Sequence, residues 1–311
     1  MGMSKFDITA IKGVIPAMVT TFDENEEVDL TRGRALVNYL IEAGVDGLYI
    51  TGSTGEGFLM TGEERKAFTE AVIEEVKGRI PVIVHVGDIG TKKSIDLARH
   101  AEQAGADAIS SVPPFYYKFN GDDIFNYYKD ISESVAIPMI VYNISLAGLM
   151  SNALVKRIAS IGNVKGLKFT GREHDDMCAL KQELGSDFMV YSGCDEMATQ
   201  GLLAGADGLI GSTYNLMPDT AIEIYKLAQK GDYVAAFEIQ KIATRLIHFL
   251  VQWDFFPIMK KLITANGVDA GYSRRPFAAP SKEVMDKINA FCLDLKKEHK
   301  GKTHIAFVDK M

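Results

Sequence analysis

Three segments of this chain are variations on one joint: EAGVDGLYI (42–50), QAGADAISS (103–111) and LAGADGLIG (203–211). Each closes an amphipathic stretch with Ala-Gly and then launches a short apolar run. The glycine suits the left-handed residue that ends a helix before the chain turns into a sheet. One helix-to-strand joint, used three times, predicts a chain in which helices and strands alternate around a largely parallel sheet.

Apolar runs rich in β-branched residues recur at 13–19, 47–50, 81–86, 108–112, 138–142, 164–169, 188–192 and 208–211. These are eight candidate strands. Each is continuously apolar rather than alternating, as parallel strands covered on both faces must be. The stretches between them carry helix punctuation. Thr61-Gly62-Glu63-Glu64 reads as a capping box, followed by Ala67, Phe68, Ala71, Val72 and Val76 on one face, with Gly78 as the stop.

Eight such units in 311 residues predict an α/β fold of the (β/α)8 TIM-barrel class, with a doubly wound open sheet as the alternative. After residue 212 the pattern turns wholly helical, at 219–229, 233–252, 256–265 and 281–298. The expected organisation is a barrel over 1–228 and a C-terminal helical extension over 229–311, packed on it as one structural unit. The closing GKTHIAFVDKM reads as a frayed or docked tail.

Composition narrows the partners. Hydrophobic residues make 47% and charged residues 24%, the proportions of a globular chain. With 34 basic and 41 acidic residues the net charge is −7, which argues against nucleic acid or an anionic membrane as the main partner. Cys178, Cys194 and Cys292 have neither CxxC nor zinc-like spacing, so free thiols in a reducing compartment are expected. No signal-peptide core or membrane-length apolar run occurs, and a cytoplasmic location is the expectation.

In a barrel, chemistry belongs at the carboxyl ends of the strands. The second run leads into Thr51-Gly52-Ser53-Thr54-Gly55-Glu56-Gly57, whose N–H groups and hydroxyls suit a carboxylate or phosphate. An ordinary glycine-rich turn would read the same way. The sixth run carries Lys168 between apolar neighbours. Desolvation there lowers an amine's pKa and yields the neutral nucleophile that Schiff-base formation needs, whereas a lysine at a strand tip could simply reach solvent or an acid. The fifth ends in Tyr142-Asn143, and the fourth in Pro113-Pro114-Phe115-Tyr116-Tyr117, which suits a lid, an interface or core cover. Gly193-Cys194-Asp195-Glu196 and Gly211-Ser212-Thr213 end the seventh and eighth, and suit a polyhydroxylated ligand unless Asp195 only caps the following helix. His85 reads as a core histidine. His174-Asp175-Asp176 lacks a metal-ligand spacing, and no metal is expected.

Together GSTGEGF (52–58), PFYY (114–117), VYNI (141–144), GLKFT (166–170), GCDE (193–196) and GLLAGADGLIGSTYN (201–215) carry a resemblance over essentially the whole chain. The sequence resembles the pyruvate-dependent class I aldolases of the dihydrodipicolinate synthase and N-acetylneuraminate lyase superfamily, nearest its N-acetylneuraminate lyase branch. The resemblance implies roles for individual residues. Lys168 matches the Schiff-base lysine and Tyr142 the proton-moving tyrosine. Ser53 and Thr54 match the pair that holds the pyruvate carboxylate, with Ser53 also in a hydroxyl relay to Tyr142. Tyr116 matches the relay tyrosine lent by a neighbouring subunit, within a homotetramer built as a dimer of dimers. Thr170, Gly193, Asp195, Glu196 and Ser212 match the groups that bind the sugar chain. No cofactor beyond the covalent Schiff base is implied.

Two departures stand out. Ser145 follows Tyr142-Asn143-Ile144 where the superfamily usually has proline, and the loop is one residue shorter. Leu146 occupies the place where the synthases carry an arginine for a second carboxylate, and no arginine occurs between Lys118 and Lys156. This favours cleavage of N-acetylneuraminate over the synthase reaction, with another 2-keto-3-deoxy sugar-acid aldolase next. A phosphate-binding isomerase barrel and a non-catalytic binding protein of this fold are the readings of other classes.

Overall fold

The structure, a computed structural model, describes residues 6–299 and 303–311. Eight parallel strands alternate with helices: β1 Gly13–Pro16, α1 Leu30–Glu42, β2 Leu48–Ile50, α2 Gly62–Val76, β3 Val82–His85, α3 Thr91–Ala104, β4 Ala108–Ser111 and α4 Gly121–Glu133. They continue as β5 Met139–Ile144, α5 Asn152–Ala159, β6 Val164–Thr170, α6 His174–Leu184, β7 Met189–Ser192, α7 Ala198–Leu203, β8 Gly208–Gly211 and α8 Pro218–Gln229. Strand order runs β1-β8-β7-β6-β5-β4-β3-β2, and Ala17 beyond β1 bridges in parallel to Tyr49 of β2. That bridge closes the barrel and excludes the open sheet.

The joints show why the strands sit in register. Gly44, Gly105 and Gly205 all have positive φ, 88°, 96° and 98°, as a helix-ending glycine requires. The aspartate two residues later does a second job. Asp46, Asp107 and Asp207 each accept from the backbone N–H of the neighbouring strand's residue, Val14, Val82 and Val190, at 2.8, 2.9 and 2.8 Å. Their own N–H groups donate to the carbonyls of the same three residues. Each joint is thus a two-pronged clamp at the amino-terminal face of the barrel.

Both faces of the strands are buried, which explains the unbroken apolar runs. Ile15, Tyr49, Ile83, Ile140, Met189, Tyr191 and Ile210 fill the barrel interior, while Leu48, Val82, Val84, Val141, Val164 and Val190 face the helices. Below, Tyr191 donates to the Ile11 carbonyl at 2.9 Å and helps close the base. The Thr61 and Glu64 capping box opens α2. The helix ends at Lys77, itself left-handed at φ 52°, one residue before the expected Gly78.

The C-terminal segment forms α9 Tyr233–Leu250, α10 Phe255–Ala265, α11 Lys282–His299 and α12 Ala306–Asp309. Ile258, Met259 and Leu262 of α10 share one apolar cluster with Met18, Val19 and Phe22. The tail is docked rather than frayed over its described residues. Ile305, Phe307 and Val308 are buried, and Ala306 N–H donates to the Asp219 carboxylate on α8 at 3.0 Å.

Candidate active site

β5 and β6 pair in register with Tyr142 opposite Lys168. Lys168 is 3% exposed, and its Nζ lies 4.0 Å from the ring centre of Tyr142 and 4.2 Å from that of Tyr49 on β2. Burial pushes the amine down to about 7, while Asp195 and Cys194 pull it partly back. Of the two alternatives for this lysine, solvent at a strand tip is therefore not the observed one. Tyr142 is also buried, and desolvation pushes its phenol up to about 12 against the Thr170 and Ser53 hydroxyls beside it. Lys168, Tyr142, Ser53 and Thr170 thus converge at the carboxyl end of the barrel.

The flanking loops add to the group. Thr54 Oγ1 lies 2.7 Å from Ser212 Oγ, joining the loops after β2 and β8. Gly193 makes room for Thr170, since a Cβ there would fall 1.9 Å from its Oγ1. Asp195 does not cap a helix. Its carboxylate reaches across to the loop after β8 and accepts from Thr213 N–H and Thr213 Oγ1, both at 2.7 Å. Burial pushes that carboxyl up to about 6, against the Thr213 hydrogen bonds that pull it down.

Glu196 and Tyr116 stand apart. Glu196 is half-buried beside a groove lined by Gln200, Lys241, Arg245 and His248, and its carbonyl accepts from Thr244 at 2.8 Å. Tyr116 is 84% exposed, with φ 78° and its ring against exposed Tyr117. The preceding Phe115 turns inward onto Phe58. Next to Ser53 these two rings, Ile144, Leu146, Phe256 and Phe277 wall a cavity of ≈ 290 Å³. The short loop after β5 is fixed by Asn143, whose side chain accepts from Met150 N–H and donates to the Met150 carbonyl. Leu146 on that loop is 82% exposed.

Several participants carried no separate signal in the sequence. Tyr49 supplies the second ring beside Lys168 and donates to Ser110 Oγ at 3.2 Å. Arg65 on α2 is buried and donates to the Gly87 and His85 carbonyls behind β3. His85 is buried, with Nε2 3.2 Å from the Val112 N–H, which fits its reading as a core residue.

Residues 10–293 match the dihydrodipicolinate synthetase family. This chain belongs to that family. It is 36% identical to N-acetylneuraminate lyase of Citrobacter koseri, over 93% of this chain and 98% of the relative. Its fold superposes on N-acetylneuraminate lyase from Mycoplasma synoviae with a TM-score of 0.86 and 31% identity, covering 93% and 99% of the two chains. A dihydrodipicolinate synthase from Bacillus anthracis gives a TM-score of 0.86 at 29% identity, over 90% and 97%. Among the described residues no helix is long and apolar enough to cross a membrane.

Proposed function

We propose that this family member is a class I aldolase that splits N-acetylneuraminate into pyruvate and N-acetylmannosamine through a Schiff base on Lys168. The observation that carries the reading is the buried Lys168 amine, held near neutrality between two ring faces with Tyr142 beside it. A neutral amine attacks the C2 carbonyl and gives a carbinolamine. Tyr142, kept protonated by burial, donates its proton to the departing hydroxyl. Water leaves, and an iminium cation faces a tyrosinate. That tyrosinate takes the C4 hydroxyl proton as the C3–C4 bond breaks, and the electron pair moves into the iminium to give an enamine. Proton return to C3 and addition of water then release pyruvate and free Lys168.

In this reading Ser53 and Thr54 hold the pyruvate carboxylate and Ser53 relays the Tyr142 proton. Thr170, Gly193, Asp195, Glu196 and Ser212 are assigned to the sugar chain by the family resemblance, Glu196 being the one set apart from the other four. The iminium is the electron sink, so the chemistry needs neither metal nor external cofactor. Exposed Leu146 leaves the loop after β5 without a guanidinium for a second substrate carboxylate, which weighs against the synthase reaction. Another 2-keto-3-deoxy sugar-acid aldolase is the second reading, since the sugar-facing groups are hydroxyls and carboxylates with broad acceptance. Free thiols at all three cysteines fit a cytoplasmic enzyme. Exposed Tyr116 and Tyr117 fit a homotetramer in which a partner lends Tyr116.

The test is borohydride reduction in the presence of pyruvate, followed by peptide mapping. A pyruvate-derived adduct on Lys168, absent in Lys168→Ala, is the expected result. An adduct on another lysine, or none, removes the mechanism. Turnover of N-acetylneuraminate against other sugar acids then sets the substrate.

A further inference from the structure

The segment that carries Ser53 and Thr54 is left-handed at a non-glycine residue on each side: Thr51 has φ 57° and Glu56 φ 53°. Such conformations, above all for a β-branched residue, persist only where the surroundings over-determine them. Thr51 is held from within the barrel, its hydroxyl 2.8 Å from the Ile50 and His85 carbonyls. The other side is held from outside it. The Glu56 side chain is fully buried, with one carboxylate oxygen 2.6 Å from Lys260 Nζ on α10. The second oxygen accepts from Arg274 N–H at 2.8 Å. Lys260 also donates to the Tyr272 carbonyl at 2.6 Å, and the Arg274 guanidinium is fixed by Glu64 on α2.

A buried ion pair is a poor device for stability alone, because desolvating two charges offsets most of their attraction and an apolar pair of similar volume does as well. What it supplies is direction. A single contact from α10 ties down the left-handed residue at the far side of the Ser53–Thr54 turn. Within that turn Glu56 N–H donates to the Ser53 carbonyl at 3.0 Å, so the residue Lys260 holds is bonded directly to the residue beside Tyr142.

We infer that Lys260, through Glu56, is a positioning residue that sets how tightly the pyruvate carboxylate is held. Neither side chain is placed on the reacting atoms; the pair acts through Ser53 and Thr54. The inference rests on the Schiff-base reading and gives the C-terminal segment a part in substrate binding.

The experiment is pyruvate-dependent borohydride trapping on the full chain, read as two numbers: the half-saturating pyruvate concentration and the limiting rate at saturation. Two variants are compared with wild type. Glu56→Gln is nearly isosteric, and Lys260→Met combined with Glu56→Gln leaves neither charge buried alone. Thermal melts identify which variants are folded. In a folded variant the half-saturating concentration should rise about tenfold or more, the scale of one lost hydrogen bond to a charged group, with the limiting rate unchanged. An unchanged half-saturation in a folded variant, whatever the limiting rate, overturns the positioning role and leaves Lys168 as the nucleophile. Wild-type protein that takes no label on Lys168 overturns the Schiff-base reading and this inference with it.

Discussion

Lys168 Nζ lies 4.0 Å from the ring centre of Tyr142, its in-register partner on the neighbouring strand. In the proposed mechanism a nucleophile and a proton carrier thus sit on facing positions of adjacent parallel strands and keep their spacing through the sheet's own hydrogen bonds. The ring faces also accept a cation without supplying a full negative charge, so burial prevails and the amine sits near 7.

The pH dependence of trapping follows from that value. An ordinary lysine titrates near about 10.4, so below pH 9 almost all of it is inert cation. Lys168, lowered to about 7 chiefly by burial, gains its neutral form as pH rises through 7. The trapping rate at saturating pyruvate should climb by about tenfold in all between pH 6 and 8 and level off above, the tenfold-per-unit slope being reached only below about pH 6. A rate that keeps climbing to pH 10 would mean that the amine is solvated.

Asp195 should tune this profile. Its charge, ionised above about pH 6, is the first influence that raises Lys168 against burial. Asp195→Asn removes that influence, so the midpoint of the trapping profile should move to lower pH. The variant keeps an oxygen that can accept from Thr213 and removes a charge that burial disfavours, so stability should change little. A midpoint displaced upward would show that Asp195 acts on Lys168 by excluding water rather than by charge.

The three joint aspartates give a stability prediction separate from catalysis. Asp46→Ala and Asp107→Ala should each lower stability by about 1.5–3 kcal/mol in denaturant melts, the worth of a hydrogen bond to a charged acceptor. Asp207→Ala should cost more, because Lys181 Nζ, 2.7 Å from that carboxylate and mostly buried, loses its counter-charge and keeps only backbone carbonyls such as that of Phe188. Lys168 trapping below the melt should stay at the wild-type rate, since the joints lie at the face opposite the site. Equal melts for wild type and all three variants would refute the clamp.

These aspartates mark where the sequence stops being legible. The strands could be read because burial on both faces leaves unbroken apolar runs, and the glycines because a left-handed helix end demands them. Asp46, Asp107 and Asp207 stood in the same repeats, yet their partners Val14, Val82 and Val190 lie on other strands and announce nothing. Lys168 and Tyr142 were visible as polar groups in apolar strands. Tyr49 was hidden because a buried tyrosine in a strand is ordinary. Glu56 and Lys260 are separated by most of the chain, and no periodicity links a loop carboxylate to a helix lysine. The bond from Asp195 to Thr213 depends on β7 pairing with β8, which brings the loops after them together and which no local pattern announces.

Tyr116 offers the most demanding test. A large side chain at positive φ is strained, and its 84% exposure leaves an aromatic ring in water beside exposed Tyr117. Both costs are offset if a second copy covers the ring, and aromatic anchors suit an interface core. With reciprocal lending across a two-fold axis, Lys168→Ala and Tyr116→Phe subunits should each be nearly inactive alone. In a mixed dimer one site then carries both defects and the other carries neither. Unfolding and refolding the two together should therefore restore activity, approaching about a quarter of the wild-type value when pairing across the two-fold interface is random. Mixed dimers, demonstrated by differently tagged subunits, that stay as inactive as their parents would place Tyr116 in its own subunit's site or outside catalysis altogether.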